Sequence, residues 1–228
     1  MDQRDGFPHG KVLRKRSFFT LLIIILAMLV IAPLVNEFVH LRIILDIFWS
    51  AIFIAAIYAV SHKKLHLIIG TLLALPMLAS FWSKYFFHHT GLLAFGSICG
   101  AAFFCLAIFH ILVFIYNQQR VSKDLIVGAA LVYFLMALAW AFIVGTVELL
   151  HPGSYAVAQS LKDSGGPDFL YYSFVTMTTL GYGDITPLTK LARSLCILEA
   201  VIGQLYLVVS VAWLVGMHVS QKMTERSK

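Results

Sequence analysis

Six apolar stretches, at about 17–35, 43–61, 65–83, 91–116, 125–150 and 188–218, dominate this chain. Each is near or above the ~20 residues that a helix needs to cross a hydrocarbon layer. No water inside such a layer can satisfy backbone N–H and C=O groups, so each stretch is expected to be helical. At 60% hydrophobic and 12% charged, the 228 residues carry more apolar surface than one soluble core can bury. The reading is an all-α membrane protein with six transmembrane helices. Pro76 within the third stretch, with Lys84, His88 and His89 after it, predicts a kink or an interfacial end there. Lys11, Arg14, Lys15 and Arg16 ahead of Phe18 to Ala32 imitate a secretory signal. No small-residue cleavage site follows and Pro33, Leu34 and Val35 extend the run, so a retained first helix is expected.

The distribution of Lys and Arg sets the orientation. Arg4, Lys11, Arg14, Lys15 and Arg16 precede the first stretch, Lys63 and Lys64 follow the second, Arg120 and Lys123 follow the fourth, and Lys222, Arg226 and Lys228 follow the sixth. These fall on one side, and basic residues concentrate on the cytoplasmic side. The opposite side has only the scattered Arg42, Lys84, Lys162, Lys190 and Arg193. The expected location is the cell membrane, multi-pass, with both termini cytoplasmic and the lipid bilayer as surroundings. The net charge of +6 is spent on these tracts, so nucleic acid is not an expected partner. Cys99, Cys105 and Cys196 lie within apolar stretches without metal-ligand spacing and read as packing residues.

Between the fifth and sixth stretches, His151 to Gly166 is polar and glycine-bearing and reads as an exposed turret. Pro167 suits a first helical position and Asp168 favours the positive end of a helix running from Phe169 to Thr179. About 12 residues rise only roughly 18 Å, too short to cross a bilayer, so this helix must re-enter. After it comes Thr178-Thr179-Leu180-Gly181-Tyr182-Gly183-Asp184, and Thr186 and Pro187 are expected to cap and start the last helix. Gly181 and Gly183 can take the positive φ that aims successive carbonyls at one axis. Irregular backbone at membrane depth is tolerated where protein buries it or it lines a wet cavity.

The run from Thr178 to Asp184 resembles the filter signature of the potassium channel family, with Leu180 where valine is usual. The resemblance is specific from about residue 125 to about residue 219 and weak before that. It implies that carbonyls of Thr179, Leu180, Gly181 and Tyr182, with the Thr179 hydroxyl, coordinate K+, and that Gly183 completes the filter. It implies that Leu180 and Tyr182 side chains turn away and brace the strand. The resemblance further implies an outer acid, Asp184, hydrogen-bonded to an aromatic of the pore helix, here Tyr171 or Tyr172, with Thr178 also behind the filter. One filter strand cannot encircle an ion, so a homotetramer around a central pore is implied. Gly203 resembles the hinge glycine of the inner helix, although a helix-packing glycine reads equally well.

The division expected is a cytoplasmic tail 1–16, a four-helix domain 17–120, a pore domain 121–220 and a short cytoplasmic tail 221–228. The four-helix domain holds the place of a voltage sensor, yet Gly91 to Tyr116 has no Arg or Lys to convert membrane potential into work. His110 there reads as a packed or hydrogen-bonded residue. Glu199 lies inside the last stretch, where a carboxylate needs a partner or a proton, and Thr176 or Thr178 is the expected partner, with a gating role the sharper alternative. Asp46 is placed near the outer end of the second stretch, within reach of water. His62 and His66 share a helix face without an acidic or cysteine companion, so no metal is expected beyond permeant K+. His88 and His89 are adjacent and read as solvated.

The function expected is passive, potassium-selective conduction, not gated by a charged fourth helix, and no enzymatic activity or cofactor. The alternatives are a non-selective cation channel of the same fold, a coupled cation transporter or a regulatory subunit. A transporter would show repeated hairpins or paired broken helices, and one hairpin is present.

Overall fold

The computed structural model describes residues 9–36, 42–60, 64–83, 90–118, 120–159 and 168–226. The six apolar stretches are helical: α1 His9–Asn36, α2 Arg42–Val60, α3 Lys64–Ser83, α4 Thr90–Tyr116, α5 Lys123–Leu150 and α7 Lys190–Arg226. The short α6, Phe169–Met177, lies between α5 and α7. Thr90–Tyr116, Lys123–Leu150 and Lys190–Glu225 are long and apolar enough to cross a membrane. The apolar parts described for the first three helices are shorter, at Ser17–Ile31, Ile44–Ala59 and Leu67–Ser83. The molecule is thus a helical bundle with several membrane-spanning helices.

Large rings and small residues together hold the bundle. Phe53 of α2 packs at 4.9 Å from Phe103 and 5.1 Å from Phe104 of α4, and Phe104 stacks at 5.8 Å on Phe142 of α5. Between α3 and α4, a Cβ at Gly96 would collide with the Ser80 side chain, and one at Gly100 would come 3.0 Å from the Met77 sulfur. This small-xxx-small spacing lets helices approach where lipid supplies no hydrophobic drive for association. α3 continues through Pro76 as one helix, so the proline does not end it. Asp46 is 3% exposed, not water-accessible as expected. It shares the face of α2 that carries Phe53 and Ala56, and that face turns into the bundle. Cys99 is buried, whereas Cys105 stands exposed on the outer face of α4 and does not pack the interior.

α4 turns into α5 within a few residues. Asn117 N donates to Val113 O and Gln118 N to Ile115 O, closing α4, and Ser122 Oγ accepts from Leu125 N at 3.2 Å to cap α5. The tight turn lays α4 back along α5, the most extensive helix pair, and α1 packs on the same α5. His110 Nδ1 pairs with Leu106 O of its own helix at 2.8 Å. His62, His88 and His89 lie outside the described residues, as does the side chain of His66.

The tract after α5 departs from an exposed turret. Tyr155–Val157 forms strand β1, antiparallel to β2, Ile185–Pro187, with Tyr155 opposite Pro187 and Val157 opposite Ile185. Ser154 is 1% exposed and Tyr155 4%. The cause lies in Glu148 of α5, whose carboxylate accepts from Gly153 N at 2.8 Å and Tyr155 N at 3.0 Å and turns the chain inward. Pairing with β1 also holds Thr186 and Pro187 extended, so the cap of α7 moves to Thr189. Its Oγ1 accepts from Ala192 N at 3.3 Å. Residues 160–167, including Pro167, lie outside the described residues.

Candidate functional site

The 178–184 segment is hung from α6. Asp168 caps this helix, accepting from Leu170 N at 3.0 Å and Tyr171 N at 3.1 Å. α6 ends at Met177, two residues before the sequence-based expectation, because Thr178 and Thr179 form a turn. There Thr178 N donates to Phe174 O at 3.0 Å and Thr179 N to Thr176 O at 3.0 Å. Leu180 N donates to Val175 O at 3.0 Å, with Gly181 N at 3.4 Å from the same oxygen. The amides at the start of the segment are thereby spent on the helix end.

Beyond this point φ is positive at every second residue: Thr179 at 61°, Gly181 at 55° and Gly183 at 79°. Successive carbonyls of a regular strand point to opposite sides. Reversing the sign of φ at alternate residues removes that alternation. Glycine adopts such angles freely, but a β-branched residue pays about 1–2 kcal/mol. Thr179 is the one non-glycine residue at positive φ among the described residues. Backbone strain of this kind persists where the surroundings enforce it, and it gathers at functional sites.

Both ends of the segment are clamped. At the α6 end Met177 O accepts from Gln204 Nε2 of α7 at 2.8 Å and from Tyr133 Oη of α5 at 3.1 Å. At the β2 end Asp184 Oδ2 accepts from Tyr171 Oη at 2.5 Å, Oδ1 from Ile185 N at 3.0 Å, and the Asp184 carbonyl from Ala158 N at 2.8 Å. The bond to Asp184, with slight burial adding to it, pushes the Tyr171 phenol up to about 12. The phenol therefore keeps its proton and its donor role at neutral pH. Through β1 and Glu148 this clamp continues back to α5.

Of the expected tyrosine pair, only Tyr171 serves Asp184. Tyr172 points elsewhere, 4% exposed, with its ring 5.4 Å from Tyr155. Thr178 Oγ1 donates to Phe174 O at 2.6 Å and so does not reach Glu199. Glu199 has no exposed surface, and neither of its oxygens has a hydrogen-bond partner. Ser173 faces it, outside bonding geometry, so the expected bond to Thr176 or Thr178 is not made. The reason is register: Glu199 sits one helical turn outward of Gly203, and it is Gly203 that meets the end of α6. A Cβ on Gly203 would lie 3.3 Å from Met177, which marks it as the packing glycine of this crossing, inside an unbroken α7. Leu180 and Tyr182 are 58% and 68% exposed, so within one chain nothing braces them. The positions of Gly181 and Gly183 are equally open, with no atom within 4 Å of an added Cβ.

Sequence reasoning missed Tyr133, Gln204 and Glu148. Gln204 carries the one available signal, since an amide inside an apolar helix must find a partner. No group of three or more His, Cys, Asp or Glu able to hold a metal ion occurs among the described residues.

A family model described as an ion channel matches residues 104–219, from the middle of α4 to the last turns of α7 and just over half of the chain. No curated protein matches it.

Proposed function

The chain belongs to the ion channel family, whose members are channels and not catalysts, and we propose that this one is a potassium-selective channel whose filter is residues 178–184. Its membership and its spanning helices make it a membrane protein of cation conduction. The observation that carries the finer reading is the alternating positive φ at Thr179, Gly181 and Gly183, bought at the cost of a strained threonine. That pattern suits a column of carbonyls facing one axis, with Thr179, Leu180, Gly181 and Tyr182 replacing the hydration shell of K+ and Gly183 opening the column outward. The Met177 end of α6 lies at the inner end of the segment, so its dipole places partial negative charge where a cation waits.

Four copies are proposed to surround the axis. Supporting this are the open flanks of Leu180 and Tyr182 and the exposed apolar face of α7, which includes Ile197, Val201, Leu205 and Val208. In the proposed topology all six long helices span the cell membrane, both termini are cytoplasmic and β1 with β2 lies at the outer mouth. Residues 121–220 form the pore domain, and 17–120 form a four-helix domain that lacks a charged sensor.

Tyr182→Asp tests the assignment. In proteoliposomes carrying opposed K+ and Na+ gradients, the variant is expected to lose about tenfold or more of the K+ over Na+ permeability ratio, a change of ~1.4 kcal/mol in discrimination. An unchanged ratio in an assembled, conducting variant removes Tyr182 from the filter.

A further inference from the structure

Between α7 and α6 five buried polar atoms have no hydrogen-bond partner: both carboxyl oxygens of Glu199, Ser173 Oγ, Tyr172 Oη and Tyr155 Oη. They belong to one cluster. The rings of Tyr155 and Tyr172 are 5.4 Å apart, and Ser173, like Glu199, has no exposed surface. Burial first, and the Glu199 carboxyl next, push the Tyr155 phenol up, so β1 lies within electrostatic reach of that carboxyl. Cys196, one turn before Glu199, lies against Tyr172. Buried polar atoms in native proteins are nearly always paired, so a carboxyl and three hydroxyls left unpaired together call for an explanation.

The groups facing Glu199 can be followed element by element. α6 offers Ser173 and, beside it, Tyr172; β1 offers Tyr155; α7 itself offers Cys196; and α5 contributes Glu148, acting on the same Tyr155 phenol. No cationic side chain acts on Glu199 among the described residues. An ionised carboxyl here would have neither a counter-charge nor a donor in place, and a buried charge without either costs several kcal/mol. A protonated one is a small neutral group able to give and take a hydrogen bond.

The cluster also has a mechanical position. Glu199 and Gly203 are four residues apart on α7 and meet Ser173 and Met177, four apart on α6. Glu199 therefore lies one helical turn, about 5.4 Å of rise, along α7 from the glycine that packs on Met177, whose carbonyl anchors the segment. Resting on the reading of 178–184 as the filter, we propose that Glu199 is a proton-binding positioning residue: with its proton it is an uncharged group that lets α6 pack against α7 at Ser173, and loss of that proton displaces α6 and shuts conduction at the filter. Ionisation draws the hydroxyls of Ser173, Tyr172 and Tyr155 toward the new charge. Two of these three belong to α6, so the pore helix moves with them.

The test is a pH titration of the full chain in planar bilayers with equal K+ on both sides, comparing wild type, Glu199→Gln and Ser173→Ala. Wild-type open probability is expected to fall toward alkaline pH by about tenfold per pH unit, the slope of a one-proton linkage. Glutamine keeps size and hydrogen bonding but exchanges no proton in this range, so Glu199→Gln is expected to conduct with the same selectivity and a flat profile. Ser173→Ala is expected to retain selectivity with a flattened alkaline fall. A flat wild-type profile, or a Glu199→Gln profile that follows wild type, overturns the proposal, as does failure of Glu199→Gln to assemble, since that would mean the site needs the anion. The reversal potential under a K+ and Na+ gradient, recorded on the same membranes at neutral pH, separates the two readings. A selective, pH-insensitive channel sinks only the proton site, and a non-selective one sinks the filter reading beneath it.

Discussion

Gly181→Ala is expected to abolish potassium conduction while the subunit still folds and assembles. Gly181 has φ 55°, and an added Cβ would meet nothing within 4 Å, so the cost is one of backbone conformation and not of collision within the chain. An alanine held there pays about 1–2 kcal/mol, and four identical copies around one pore would pay roughly 4–8 kcal/mol in total. The strand escapes that cost by returning φ to negative values, which turns one carbonyl per chain out of line. Gly153→Ala is the control, because Gly153 has φ 86° and equally open surroundings but lies in the turn after α5. It is expected to lower stability by a similar amount per chain and leave permeability ratios unchanged. Flux assays on size-selected oligomers of both variants check this, and selective conduction by Gly181→Ala would contradict it.

The second large effect is expected from removing both donors to Met177 O. Tyr133→Phe and Gln204→Leu each leave the other donor in place, so each alone is expected to change conduction little. The double variant leaves the carbonyl of a fully buried residue without either side-chain partner. Stranding a buried acceptor costs about 1–3 kcal/mol, enough for about a tenfold or larger loss of selective open time. The signature is non-additivity, since two groups that share one acceptor must couple. Single-channel recordings in high and low K+ measure it. Additive single effects would mean that the Met177 end of the proposed filter is held elsewhere.

Where the sequence speaks through local rules, structure and expectation agree. Long apolar runs became helices and Asp168 stands at the positive end of α6, there as its cap, while the bond between Asp184 and Tyr171 follows what the resemblance implies and not a local rule. The misses share one cause, in that each depends on a specific contact that no periodicity or cap rule announces. β1 lies in a polar tract and has only three residues, so no alternation marks it, and it exists because Glu148 turns the chain back to pair with residues 185–187. That pairing then moves the cap of α7 from Thr186 to Thr189. Tyr133 and Gln204 bond Met177 from 44 and 27 residues away, beyond any local motif. Glu199 announced itself as a buried carboxyl, but the expected bond to Thr176 or Thr178 is not made, because the register of α7 on α6 is set by Gly203 against Met177.

The measurement that bears most directly on the central claim is the reversal potential of the purified wild-type chain in a bilayer with pure K+ on one side and pure Na+ on the other. A filter of inward carbonyls built from Thr179, Leu180, Gly181 and Tyr182 predicts a large shift toward the K+ equilibrium potential. A reversal near zero, in a membrane that demonstrably conducts, would contradict it.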